Sequence, residues 1–363
     1  MRLAEPVITD EDREAVARTL ESGWVSGYGP SVEQFESEFS RYCGAGFGIA
    51  TPSGTTALHL ALATLGIGPG DEVIMPSFTM IAVYYAALQL GATPVLCDSC
   101  PISWNIDAGA AEAAVTPRTR AIVAVHMYGL PCDMDELRGL AHGAGAALVE
   151  DAAEAHGAVY RGKRAGSLGR LGCFSFFANK IITCGEGGML TTSDPDLAER
   201  ARSLRELGRV PGQRYVYAET GYSYRMLSVS AALGLSQLSR VATLGARRTR
   251  NAELYRTALS GVPGLTFAPR VGDRTGSDWR VGVLIGPESG MERNRLAERL
   301  AAAGVETRPF FVPVHRQPFY RCDGEFPVAD RLGEQGILLP SGSNLVDEDI
   351  DLVSNLINEA ANA

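Results

Sequence analysis

No stretch of the chain approaches the ~18 uncharged apolar residues of a membrane-spanning helix, and the opening Met1-Arg-Leu-Ala-Glu-Pro6 has no apolar core of signal-peptide length. A basic surplus is also missing. With 33 Lys+Arg against 42 Asp+Glu the net charge is −9. That excludes nucleic acid or an anionic membrane as the main partner, because both need a basic face. No appended helix-turn-helix suggests a DNA-binding regulator. The seven cysteines are odd in number and irregularly spaced, and Cys97-Asp-Ser-Cys100 stands as the only C-x-x-C. No second pair completes a zinc set, so no metal is expected, and reduced thiols point to the cytoplasm. G-x-G-x-x-G between a strand and a helix and G-x-x-x-x-G-K-[ST] are both absent, which weakens dinucleotide and nucleoside-triphosphate readings. The 41 glycines and 19 prolines are scattered, so no low-complexity linker and no repeat appears.

What is present is an ordinary globular composition, 45% hydrophobic and 21% charged over 363 residues, large enough for two domains. Short aliphatic runs alternate with helical patterns. Strands are expected at Glu72–Met75, Thr93–Cys97, Ala121–Val125, Ala146–Glu150, Phe174–Phe177 and Gly188–Thr192. Helices are expected around Leu58–Leu65, Met80–Leu90 and Asp133–His142. Uninterrupted aliphatic strands separated by helices imply a mostly parallel sheet covered on both faces. The character changes near Leu244. An Arg-rich helix (Arg247–Leu259), strands near Trp279–Ile285, a helix at Arg293–Ala303, an irregular Arg308–His315 and a last helix at Asp347–Asn362 suggest a smaller α+β domain. The expected division is 1–244, including an N-terminal arm, and 245–363.

Three features carry chemistry together. Lys180 lies in Phe174-Ser-Phe-Phe-Ala-Asn-Lys180-Ile-Ile-Thr-Cys-Gly-Glu-Gly-Gly188, among apolar neighbours that leave it either snorkelling or half-buried with a lowered pKa. Asp151 emerges at the carboxyl edge of a buried strand, where ligands of open α/β sheets bind; a helix N-cap is the plain alternative. Glu154 and His156 share its turn. Ser53-Gly54-Thr55-Thr56 precedes a helix and offers N–H donors at a positive dipole end, suited either to a phosphate monoester or to simple capping. An amine, a buried acid and a phosphate seat are what pyridoxal 5'-phosphate (PLP) requires: the amine to take its aldehyde, the acid to keep its pyridine nitrogen protonated.

The pattern resembles the DegT/StrS-type sugar aminotransferases, PLP enzymes of the aspartate-aminotransferase fold (fold type I). The resemblance runs from Ser22-Gly-Trp-Val-Ser-Gly27 to Leu338-Leu-Pro340. It is carried by Ser53-Gly-Thr-Thr-Ala-Leu58, Pro76-Ser-Phe-Thr79, His126-Met-Tyr-Gly129, Glu150-Asp-Ala-Ala-Glu-Ala-His-Gly157, the Lys180 run, Tyr222-Ser-Tyr-Arg-Met226 and Arg308-Pro-Phe-Phe311 through His315 to Tyr320. The last group, with Leu204-Arg-Glu-Leu-Gly208 and Gly212-Gln-Arg-Tyr215, is most similar to the GDP-perosamine synthase branch.

By position, the resemblance implies that Lys180 is the Schiff-base lysine and that Asp151 partners the pyridine nitrogen. It places Glu154 near the cofactor hydroxyl, Gly54, Thr55 and Ser175 at the phosphate, and Phe78 on the ring. Ser223 replaces the asparagine that usually reaches the neighbouring subunit's phosphate; its hydroxyl has less reach. The implied activity is transfer of an amino group from L-glutamate to a nucleotide-linked 4-keto-6-deoxyhexose in a homodimer with shared active sites. The same chemistry on a 3-keto sugar or a cyclitol, or a PLP-dependent sugar dehydratase, is the alternative; family dehydratases carry histidine where this chain has Lys180. Arg308, His315, Arg316, Arg321 and Tyr320 form a cationic, aromatic stretch expected to hold the acceptor's diphosphate.

Overall fold

The structure is a computed structural model describing residues 1–320 and 324–362; Arg321 therefore lies outside the described residues. Twelve helices appear among them. α1 (Asp10–Glu21) and α2 (Pro30–Cys43) precede strand β1 (Phe47–Thr51). Then come α3 (Gly54–Thr64), β2 (Glu72–Pro76), α4 (Ala82–Leu88), β3 (Thr93–Cys97), α5 (Ala108–Ala113), β4 (Thr119–Val125), α6 (Met134–Gly143) and β5 (Ala147–Asp151). A short β6 (Val159–Tyr160) and β7 (Lys163–Arg164) lead to β8 (Leu171–Ser175), β9 (Gly188–Thr192), α7 (Pro195–Arg205), α8 (Ser228–Leu238) and α9 (Val241–Ala258). The chain ends through β10 (Leu265–Phe267), β11 (Arg274–Thr275), β12 (Val281–Ile285), α10 (Arg293–Ala302), β13 (Arg308–Pro309), α11 (Pro327–Gln335), β14 (Gly336–Leu339) and α12 (Asp347–Ala361). None of the described helices is long and apolar enough to cross a membrane.

Seven strands form the main sheet in the order β1-β9-β8-β5-β4-β2-β3. The five from β8 to β3 run parallel, as their buried aliphatic sequences require. β9 is antiparallel to both β8 and β1. The reason is the connection: residues 176–187 contain no helix to carry the chain back, so β9 returns as a long hairpin. A four-stranded antiparallel sheet, β10-β12-β14-β13, packs a separate core of Tyr255, Val283, Leu300, Ile337 and Val353 against α9, α10 and α12. The first residues also join this region: Leu3 N donates to Glu306 Oε2 at 3.2 Å, and Ser341 N donates to Leu3 O.

Several boundaries differ from the sequence expectation. The strand expected at Phe174–Phe177 ends at Ser175. Beyond it the chain bends so that Phe176 is buried while Phe177 is half exposed, and Cys184 N closes the loop onto Phe176 O. Arg308 and Pro309 belong to a strand paired with β14, not to an irregular loop. The Arg-rich helix begins at Val241, six residues early, because apolar Val241 and Leu244 bury its first turns. Met80 lies outside the helix expected from it, and α3 buries nine of its eleven residues, so its apolar surface covers all sides instead of one.

Behind the sheet, Phe39 of α2 meets Phe174 at 4.8 Å and Phe176 at 4.9 Å, both edge to face. Glu150 is enclosed beside this cluster and is fully satisfied. Oε1 accepts from Leu168 N (2.7 Å) and Gly169 N (2.6 Å); Oε2 accepts from Gly166 N (2.7 Å) and His126 Nε2 (3.0 Å). His126 Nδ1 accepts from Cys132 N, so its proton sits on Nε2. Replacing Glu150 with Ala strands four buried donors. Urea unfolding of Glu150→Ala is expected to show a loss of ~3–5 kcal/mol; a loss under ~1 kcal/mol, as for a neutral hydrogen bond, contradicts this anchoring role.

Candidate active site

Because side chains alternate along a strand, Asp151 points away from the face that Glu150 occupies. It lines a cavity of about 340 Å³ together with Ser53, Gly54 and Thr55 at the start of α3, Glu154, Ser175 at the end of β8, and Lys180. The structure thus brings six of the sequence-derived candidates into one space. Trp279, Phe311, Met127 and Met80 are among the other residues of the wall.

The α3 end is built as a seat. Ser53 Oγ accepts from Thr56 N at 3.2 Å and Thr56 Oγ1 accepts from Ser53 N at 3.0 Å, a reciprocal cap that fixes the first turn. A Cβ at Gly54 would stand 2.7 Å from the Ser175 Cβ, so only glycine lets the turn close against β8. The resulting helix end presents main-chain N–H groups and a positive dipole to the cavity.

Of the ionisable groups in the wall, Asp151 and Glu154 are buried, Lys180 is half-buried and Glu186 is exposed. Burial raises the Asp151 carboxyl above its ordinary range, opposed by the Ala153 N–H and the Lys180 charge. Its Oδ1 accepts from Ala153 N at 3.0 Å, and no cation pairs with it within 4 Å among the described residues. Burial pushes Glu154 up to about 7 and holds the Lys180 amine below the usual lysine range. Lys180 Nζ rests 4.1 Å from the Trp279 ring centroid. Glu154 Oε2 accepts from Tyr128 N at 2.7 Å. That bond explains the His126–Gly129 motif: Tyr128 (φ 50°) and Gly129 (φ 92°) adopt left-handed backbone to aim the N–H, and a Cβ on Gly129 would meet Glu154 O at 2.9 Å. His156 lies outside the cavity wall, among Phe39, Phe174 and Phe176, and burial pushes it down to about 3.

Other sequence candidates fall elsewhere. Phe78 is fully buried against Tyr128 and Phe310 and gives no surface to the cavity; two residues on, Met80 does. Ser223 sits apart, its hydroxyl accepting from Arg225 Nη2 at 2.8 Å. His315 is engaged on both nitrogens, by Ser77 Oγ (2.7 Å) and Asp330 Oδ1 (2.9 Å), and stacks on Phe326. Arg316 pairs with Asp330 and exposed Arg308 with Glu306. Tyr320 packs edge-on against Tyr84. None of Arg308, His315, Arg316 and Tyr320 lines the cavity; after Phe311 the chain enters a one-turn 3-10 segment at 314–316, in which Val314 is buried and His315 is held by Ser77 and Asp330. Of the acceptor stretch, only its aromatic Phe311 reaches the cavity; sequence reasoning missed Trp279 and the buried Arg248 beneath the lysine loop. Trp279, one of only three tryptophans, was the single available signal.

Residues 6–358 match the profile of the DegT/DnrJ/EryC1/StrS aminotransferase family. The chain belongs to that family. It is 44% identical over 355 residues to the GDP-perosamine synthase of Caulobacter vibrioides, covering 97% of this chain and 95% of that one. The crystal structure of DesV from S. venezuelae superimposes with a TM-score of 0.92 at 38% identity, covering 98% of this chain and 95% of that one. The PLP form of a sugar aminotransferase from Streptococcus pneumoniae, Spr1654, gives 0.93 at 28% identity, covering 99% and 98%. The fold is therefore that of the PLP sugar aminotransferases, and the protein is an aminotransferase.

Glu154 has a consequence for stability. Its folded pKa of about 7 lies above the ordinary 4.5, so the folded state holds the extra proton between these values and stability falls as pH rises through that window. Glu154→Gln, which cannot ionise, is expected to flatten that fall in the cofactor-free protein. Urea unfolding across the window checks it; parallel curves for variant and parent would mean that Glu154 keeps an ordinary pKa.

Proposed function

We propose that the protein transfers the amino group of L-glutamate to a nucleotide-linked 4-keto-6-deoxyhexose, with a GDP-linked sugar as acceptor. The observation that carries the reading is the convergence of Lys180 Nζ, a buried Asp151 without a cationic partner, and the capped α3 terminus in one cavity. Three perosamine synthases, at 44%, 37% and 36% identity over nearly the whole chain, supply the choice of acceptor.

These residues fit PLP. The N–H groups of Gly54 and Thr55, with the Ser175 hydroxyl, would take the phosphate. Asp151, whose burial disfavours an unpaired negative charge, would gain its missing cation from a protonated ring nitrogen. Glu154 would face the ring hydroxyl, and Lys180 Nζ is the amine for the aldehyde carbon. When bound, the cofactor supplies the electron sink for charge that develops at the donor Cα. Asp151 keeps that sink cationic. Lys180 Nζ, held toward its neutral form by burial, is the base that takes the Cα proton and later returns one. Trp279 and Phe311 exclude water from the proton's path. Because donor and acceptor use the same groups in turn, the kinetics are ping-pong.

The working unit is a homodimer. Larger clefts of about 970 and 850 Å³ run along α1, α2, α7 and α8, and Leu20, Trp24, Val25 and Leu227 stand more than 45% exposed around them, an apolar face suited to a second copy. Ser223 then contributes to the neighbour's phosphate seat.

Three measurements test this reading. Lys180→Ala is expected to lose at least ~10³-fold in turnover, together with the visible absorbance of lysine-bound cofactor; retained activity refutes the mechanism. Product analysis by mass spectrometry and NMR after incubation with glutamate and a panel of nucleotide keto-sugars is expected to show a 4-amino sugar on GDP. An amine at C3, or a dehydrated product without nitrogen, overturns the acceptor assignment. Sedimentation is expected to give a dimer that Trp24→Arg weakens.

A further inference from the structure

Arg248, on α9, is one of the largest fully buried side chains of the molecule, at 1% exposure. A guanidinium in that setting normally meets a carboxylate. Here, among the described residues, its hydrogen bonds all go to neutral oxygens. Nε donates to Ser343 Oγ at 3.1 Å and Nη1 to Trp279 O at 2.6 Å; Nη2 donates to Lys180 O at 3.1 Å and Asn179 O at 3.5 Å. Ser343 Oγ in turn donates to Leu244 O, one turn back on α9. Trp279 Nε1 donates to Asn179 O at 2.9 Å, so the Asn179–Lys180 main chain is held from both α9 and the segment entering β12. Lys180 needs such support. It sits in residues 176–187, which have no regular secondary structure, and its own N–H is tied only locally, to Phe177 O.

We propose that Arg248 is the positioning residue of the lysine: its planar fork locks the Lys180 carbonyl to α9 and to the Trp279 carbonyl, and so fixes where Nζ stands on the indole face. The fork matters as much as the charge, since a rigid guanidinium presents several donors in one plane while an ammonium is a point charge. The arrangement also leaves an uncompensated cation beneath the amine. Lys180 faces Asp151 from β5 and Glu154 from the loop after it, which favour its protonated form, and Arg280 before β12 and Arg248 from α9, which oppose it. Burial acts in the same direction as the two arginines. The inference rests on Lys180 being the cofactor lysine, as proposed above.

The sequence offers a clean test because Lys163 and Lys180 are its only lysines. Lys163, exposed on β7, is an internal reference. Cofactor-free protein is labelled with trace acetic anhydride across a pH series, and peptide mass spectrometry gives the titration midpoint of each amine. In Arg248→Met the Lys180 midpoint is expected to rise, as removal of a nearby cation requires, with Lys163 unchanged. Arg248→Lys keeps the charge and loses the fork. There the rate at which PLP attaches to Lys180, fixed by borohydride and mapped to its peptide, is expected to fall ~10-fold or more through misplacement of Nζ. An unmoved Lys180 midpoint in folded Arg248→Met, or an unchanged attachment rate in Arg248→Lys, overturns the proposal. Should Arg248→Met fail to fold by circular dichroism, the Arg248→Lys rate decides alone. Absence of any PLP attachment to Lys180 in the parent protein would instead remove the cofactor reading, and the acetylation midpoint would still judge Arg248.

Discussion

Two adjacent carboxylates on one strand end up with opposite fates, and the rest of the site follows from that. Glu150 and Asp151 share β5, and the two-residue period of a strand sends them to opposite faces. Glu150 receives four donors and is a settled part of the interior. Among the described residues Asp151 receives one main-chain N–H and no cation within 4 Å. A buried carboxyl without a cation either holds its proton or needs a positive partner. The first acid anchors the strand; the second leaves a buried carboxyl in the cavity wall, open to a positive partner.

The same logic extends to the neighbouring groups. Lys180 and Glu154 are likewise displaced from their ordinary ionisation by burial, in opposite directions. Burial drives both displacements, against neighbours a few ångströms away that favour the charged forms. The left-handed Tyr128–Gly129 turn aims an N–H at Glu154, and Trp279 lies under the Lys180 amine. The α2 phenylalanines pack the back of β8, whose end sets Ser175 against Gly54. Perturbed ionisation concentrated in one enclosed space is the physical mark of a site that handles protons.

Much of this was legible in the chain. Aliphatic runs marked the parallel strands β2 to β5, and Lys180, Asp151 and the Ser53–Thr56 turn announced an amine, an acid and a capped helix start, which the fold brings to one cavity. The antiparallel return of β9 was not legible, because hydrophobicity alone does not say whether the residues between two strands fold as a crossover helix or stay irregular. Nor was the placement of His315 and Arg316. Their side chains suggested phosphate binding, yet Asp330, a residue on α11, captures both.

The sequence by itself determined the element types and the kinds of group available, since those depend on local periodicity, capping and side-chain chemistry. Tertiary structure alone decided which groups share a cavity, which acid is satisfied and which is not, and that Trp279 and Arg248 hold the lysine loop from two other segments. The reason is that desolvation and hydrogen-bond satisfaction depend on neighbours distant in the chain: Arg248 reaches Lys180 across 68 positions, and Trp279 reaches Asn179 across 100.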